Sequence, residues 1–224
     1  HLKTPFMLDK YKLIGHSYDF LSKIYSGNAI LDCKFSMLNE KNITQNTRVL
    51  FAGAGQGRDV LKAAELGAEV TMVDISPTMM NKFNHLRSTH PKNEDLNIHT
   101  VLGDILKQES YGEYDIVIAN FFLNVFEEDK MKTLLNHILK LCKSQGKIII
   151  GDFCPPKGGV LKKATQKIYW YSAATAFFAI AGNAIHTIYD YRKLLEHKGL
   201  KIKDEQFFSV LGQNFYHSII AEKL

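Results

Sequence analysis

From residue 47 onward, short apolar runs alternate with longer stretches in which apolar positions recur every three or four residues. The runs are TRVLFA (47–52), EVTMVD (69–74), IHTVLG (98–103), YDIVIAN (114–120) and GKIIIGDF (146–153). Runs of this length read as buried strands, and the stretches between them as amphipathic helices. One helix is predicted over 58–66, closed by Gly67. A second covers 77–87, with Ser76 as N-cap and Pro77 at the first helical position, and a third covers 127–143. Strands alternating with helices predict a parallel sheet joined by right-handed crossovers. A further helix is expected over 186–200, closed by Gly199. Two last runs, KIKDEQFFSVLG and QNFYHSIIAEK, meet at the short turn GQN and predict an antiparallel hairpin at one sheet edge.

Composition narrows the class. The 224 residues, 46% hydrophobic and 23% charged, suffice for one sizeable core, so a single α/β domain is expected over 1–224. Its parts are an N-terminal helical lid (1–45), a cofactor-binding core (46–153), a lid insertion (154–186) and a C-terminal helix and hairpin (187–224). The net charge of +5 is spread along the chain, so no nucleic-acid partner is expected. Cys33, Cys142 and Cys154 are far apart and odd in number, without metal-ligand spacing. No metal is expected, and the location expected is a reducing cytoplasm, without a signal-peptide pattern.

The stretch VLFAGAGQGRD (49–59) places three glycines in five positions directly after a strand. Such a loop aims backbone N–H groups and a helix N-terminus at whatever enters the crevice beyond the strand ends. Spacing G-x-G-x-G, with Arg58 where a dinucleotide loop has its third glycine, disfavours NAD. Gly57-Arg58-Asp59 in place of Gly-Lys-Ser/Thr disfavours ATP and GTP. Asp74 ends the second strand, 21 residues after Gly53, where a carboxylate can accept bonds from both hydroxyls of a ribose. Asp104, in LGD after the third strand, can accept from an exocyclic adenine amine. Each acid alone reads equally as a helix cap or a solvated turn; their agreement on successive strand ends describes an adenosine site.

The stretches VLFAGAGQG, VTMVDISPTMM, VLGDI and YDIVIANFFLNVFEEDK, in this order, resemble the class I S-adenosylmethionine-dependent methyltransferases. The resemblance implies a Rossmann-like seven-stranded sheet of order 3-2-1-4-5-7-6, with strand 7 antiparallel and helices on both faces. It implies S-adenosyl-L-methionine as cofactor, its methionine part along Gly53, Ala54, Gly55 and Gly57. The ribose then falls at Asp74 and the adenine between Ile75 or Met79 and Ile105, with its amine at Gly103 and Asp104. Asn120 and Phe121 would line the methyl end. The family usually has an acid two residues before the first glycine, to help hold the methionine end; this chain has Phe51. Asn120 or an N-terminal side chain is the expected substitute. SYDFLSKIYSGNAILDCK (17–34) is similar to the opening of ubiquinone/menaquinone biosynthesis methyltransferases. GQGRDVLKAAELGAEVTMVDIS is similar to the Gly-Arg-Asp motif of thiopurine and tellurite methyltransferases.

The segment IYWYSAATAFFAIAGNAI (168–185) is free of charge and holds the sole tryptophan, Trp170. Four readings stay open: a lid over an apolar acceptor pocket, core packing, peripheral membrane contact and a spanning helix. The lid reading places Trp170 and Phe177 in a substrate pocket with Tyr25 and Phe122. Phe20, Leu21, Ile24 and Tyr25, at helical spacing, would close it from the other side or simply pack on the sheet. A phenol or enol acceptor would use one general base, for which His16, Tyr18, Asp152 and His186 are candidates beside the reading of each histidine as a packed or surface residue. The function expected is methyl transfer to a small, largely apolar or aromatic acceptor, quinone- or phenol-like. A thiol or metalloid methyltransferase, and a non-catalytic S-adenosylmethionine-binding protein, are the alternatives.

Overall fold

The computed structural model describes residues 26–181 and 187–224, apart from the side chains of 173, 174 and 176–181. His16, Tyr18, Tyr25, His186 and the side chain of Phe177 lie outside the described residues.

Seven strands form one sheet: β1 (Arg48–Ala52), β2 (Glu69–Asp74), β3 (Ile98–Leu102), β4 (Tyr114–Ile118), β5 (Cys142–Phe153), β6 (Leu200–Val210) and β7 (Gln213–Lys223). The order is β3-β2-β1-β4-β5-β7-β6. β1 to β5 pair in parallel, and β7 runs antiparallel between β5 and β6. The helices are α1 (Ala29–Phe35), α2 (Arg58–Glu65), α3 (Pro77–Ser88), α4 (Glu128–Leu141), α5 (Val160–Ala181) and α6 (Tyr191–His197).

Alternation along the strands divides the core into two layers, because successive side chains leave a strand on opposite faces. Leu50, Ala52, Val117, Ala119, Ile148 and Ile150 face α4 and α6, packing with Met131, Leu135, Ile138 and Leu195. Val49, Phe51, Ile116, Ile118 and Ile149 face the other way, onto Met37, Val60, Ala63, Met80 and Phe83. Phe51 is therefore a core side chain, 1% exposed. A third, aromatic cluster of Phe153, Trp170, Phe215 and Tyr216, with Phe121 against it, lies beyond the carboxyl end of β5. Ser76 caps α3 as the sequence requires, its Oγ accepting the Met79 N–H at 3.2 Å. Among the described residues no helix is long and apolar enough to cross a membrane.

Four elements differ from the sequence reading. β5 begins at Cys142, directly from α4, because Gln145 takes φ 61° and the pairing slips from Tyr114↔Cys142 to Ile116↔Lys147. The polar run KSQ gives no alternation to announce this bulge. The last turn is Leu211-Gly212, between paired Val210 and Gln213, with φ 50° and 74°; two-residue hairpin loops need positive φ at both positions. Helix α6 starts only at Tyr191, where Asp190 Oδ1 accepts the Lys193 N–H at 3.2 Å. α5 is a 22-residue helix where composition alone left a lid, core packing, peripheral membrane contact and a spanning helix open.

The three cysteines are buried and unpaired. Burial pushes the Cys142 and Cys154 thiols up to about 11, and Cys33 is raised too. Truncation of Phe51 to alanine should cost about 3–5 kcal/mol, read as a shift in the urea midpoint.

Candidate active site

The order β3-β2-β1-β4 places a topological switch between β1 and β4, since the chain leaves β1 toward one sheet edge and reaches β4 on the other side. Gly53, Gly55 and Gly57 follow β1 with φ 67°, 58° and 69°. Their surroundings differ. A Cβ on Gly57 would collide with the Phe83 ring, and one on Gly53 with the Phe122 ring; one on Gly55 meets nothing within 4 Å. Two of the three glycines thus admit the protein's own aromatic rings, and only Gly55 presents bare backbone to the crevice.

Asp74 turns toward this loop. Its Oδ2 accepts the Gly55 N–H at 3.0 Å and its Oδ1 the Ser76 N–H at 2.9 Å. Ile75, next to it, is 46% exposed, and Leu102, paired with Asp74 across the β2–β3 register, is 56% exposed. Two large apolar side chains in water beside a buried carboxylate suit the face and the sugar of a nucleoside. Met79 and Ile105 are buried behind them. Gly103 donates its N–H to the Asp74 carbonyl at 2.9 Å. Asp104 caps the short turn after β3, its Oδ1 accepting the Leu106 N–H at 3.0 Å. Leu102 had no signal in the sequence beyond its place at a strand end.

Asn120 points into the protein. Its Nδ2 donates to Asp59 Oδ2 at 3.0 Å and to the Lys34 carbonyl at 3.4 Å, while its Oδ1 accepts the Gly151 N–H at 3.0 Å. Asp59, in the first turn of α2, is 1% exposed, with Lys34 Nζ 3.8 Å from Oδ2 and no hydrogen-bond partner on Oδ1. Sequence reasoning missed this carboxylate as a site residue. It stands on the same sheet face as Phe51, one helical turn beyond the loop. A buried carboxylate oxygen without a partner is costly, so it favours a cationic group there.

Phe121 takes φ 51°, its N–H donating to the Gly151 carbonyl at 2.7 Å. This left-handed residue sends consecutive rings apart. Phe121 meets Tyr216 and Phe153 edge-on, with centroids 5.6 and 6.1 Å away, whereas Phe122 covers Gly53 and meets Phe126 at 5.3 Å. Trp170 joins the Phe121 side through Phe153, 4.4 Å between centroids.

Asp152, near the carboxyl end of β5, is fully buried. Its Oδ1 accepts the Phe153 N–H at 2.8 Å, its Oδ2 lacks a partner, and burial pushes the carboxyl up to about 7. Among the described residues no cluster of His, Cys, Asp and Glu could hold a metal ion.

Residues 49–146 match a family described as "Methyltransferase domain". This stretch, from β1 to the start of β5, is similar to a methyltransferase domain. The fold is shared with solved structures at low identity. Magnesium protoporphyrin IX methyltransferase from Synechocystis PCC 6803, with bound S-adenosylmethionine, has a TM-score of 0.65 at 16% identity, covering 99% of this chain and 100% of that one. Burkholderia thailandensis 1,6-didemethyltoxoflavin-N1-methyltransferase, with 1,6-didemethyltoxoflavin and S-adenosylhomocysteine, gives 0.61 at 18%, covering 99% and 93%. A possible exported protein from Bordetella parapertussis gives 0.61 at 16%, covering 87% of this chain and 66% of that one. No curated protein sequence matches the chain.

Because Asp152 holds a proton in the folded protein that an unfolded chain releases near pH 4, its contribution falls as pH rises from about 4 to 7. His217, lowered by burial, works in the opposite sense, so the test is differential. Asp152→Asn should be more stable than wild type at pH 8 by on the order of 2–4 kcal/mol, with the difference shrinking toward pH 4, by urea unfolding across that range.

Proposed function

We propose that the enzyme transfers the methyl group of S-adenosylmethionine to a small, largely apolar or aromatic acceptor, with a quinone- or phenol-like ring as the sharpest version. The observation that carries this reading is the aromatic character of the segment after β4, where Phe122 covers Gly53 of the glycine loop and meets Phe126, and Phe121 leads to the buried rings of Phe153 and Trp170. Flat apolar acceptors suit such a segment. Two proteins of this fold carry names of flat nitrogen heterocycles, a toxoflavin precursor and a magnesium porphyrin, which supports a ring acceptor.

The residues fit the cofactor. Asp74 would hold the ribose hydroxyls, Ile75 and Leu102 would flank the adenine, and the Gly55 backbone would meet the chain between sugar and amino acid. Asp59 Oδ1 would take the ammonium of the methionine end, which supplies the acid that Phe51 does not. When bound, the cofactor supplies a methyl on a sulfonium, a good leaving group. The protein's part is then to align the acceptor and exclude water, and such positioning is worth about 7 kcal/mol or more in favourable systems.

Calorimetry should detect S-adenosylhomocysteine binding, with Asp74→Ala weakening it more than tenfold; unchanged affinity removes the ribose assignment. Asp59→Asn should weaken S-adenosylhomocysteine about tenfold and leave 5′-methylthioadenosine, which has no amino acid, unaffected. Equal loss of both ligands would make Asp59 a structural residue. Transfer of labelled methyl to a panel of quinones, phenols and thiols selects the acceptor class, and transfer to thiols alone would overturn the ring reading.

A further inference from the structure

Among the described residues, one face of helix α5 has no protein partner, and that face has an ordered composition. Gln166 and Trp170 point inward, 6% and 5% exposed, Trp170 against Phe153. On the opposite side Val160, Ala164, Ile168 and Tyr171 follow each other at steps of four, four and three residues, which stack on one stripe of a helix. Leu161 borders the stripe. Val160 is 89% exposed, Leu161 80%, Ile168 69% and Tyr171 44%. Isolated exposed apolar side chains are ordinary, whereas a contiguous stripe of them on one helix marks a contact surface.

Charge defines what would cover it. Between Asp152 and Asp190 the chain contains no acidic residue, and its charged side chains are Lys157, Lys162, Lys163 and Lys167. All four lysines are exposed, and two of them, Lys163 and Lys167, lie on α5 along the flank of the apolar stripe. Lysines around an outward apolar stripe match a bilayer surface, with apolar side chains entering the acyl boundary and the ammonium groups reaching anionic headgroups. The helix does not qualify as a span. It lies on the same rim of the sheet as the β4 aromatic residues, linked to them through Trp170 and Phe153.

We propose that the outer face of α5 docks on an anionic lipid surface, with Val160, Leu161, Ile168 and Tyr171 inserting and Lys163 and Lys167 pairing with headgroups. This surface is independent of the methyl acceptor.

The test is co-sedimentation of the full chain with vesicles of phosphatidylcholine alone and of phosphatidylcholine with roughly one third phosphatidylglycerol. Wild type should sediment with the mixed vesicles at least tenfold more strongly than with the neutral ones, and lose that excess as salt rises from about 0.05 to 0.5 M. The combined change Lys163→Gln and Lys167→Gln should lower partitioning into mixed vesicles by roughly thirtyfold. Leu161→Ser with Ile168→Ser should lower it at least tenfold in both compositions. Emission of the buried Trp170 verifies that each variant folds, and S-adenosylhomocysteine binding should be unchanged in both. Wild type left in the supernatant with both vesicles overturns the proposal, as does sedimentation insensitive to both variant sets. Lysine-dependent binding to single-stranded RNA without vesicle binding assigns the face to nucleic acid and overturns it equally.

Discussion

The carboxamide of Asn120 is the contact on which the site's geometry depends. It gives to Asp59 at the start of α2 and to the Lys34 carbonyl in α1, and it accepts from Gly151 in β5. One side chain thereby fixes the end of β4 against two helices and the neighbouring strand. A Cβ on Gly151 would sit 2.7 Å from Asn120 Oδ1, so the strand must be bare there. With both ends of the amide engaged, the next residue is forced to turn, and Phe121 adopts its left-handed conformation against the Gly151 carbonyl. Such a conformation costs a non-glycine residue about 1–2 kcal/mol, which the surrounding bonds must offset. The separation of the Phe121 and Phe122 rings descends from this arrangement.

The frame was legible in the sequence wherever the signal was local. Apolar runs gave the strands, and Ser76-Pro77 gave the start of α3, because cap and turn chemistry act over a few residues. The glycine loop and Asp74 were legible for the same reason, and the structure brings them together through the Gly55 N–H. The reason for the glycines was not. Three small residues looked like one message about a ligand, but Gly53 and Gly57 make room for Phe122 and Phe83, which lie 69 and 26 positions further on. Asp59 escaped notice because its burial comes from Asn120, 61 residues away. Leu211 concealed a hairpin turn because it is not a turn-forming residue, and the polar KSQ run concealed the bulge that opens β5.

The two faces of α5 describe a division of labour within one element. Its inner face extends the aromatic cluster that begins at Phe121, so the helix is anchored to the rim of the sheet by Trp170. Its outer face contributes nothing to that cluster. Burial of aromatic area on one side is what holds the other side in place, since an isolated helix of this length gains little stability from propensity alone.

The burial of the cysteines carries a consequence for their reactivity. Each thiol is sealed from solvent and bonded to a carbonyl, Cys33 to His217, Cys142 to Lys147 and Cys154 to Asn214. With their acidities suppressed, almost no thiolate exists at neutral pH, and oxidants and alkylating agents act on thiolate. The folded state therefore holds its three thiols in their protonated, unreactive form.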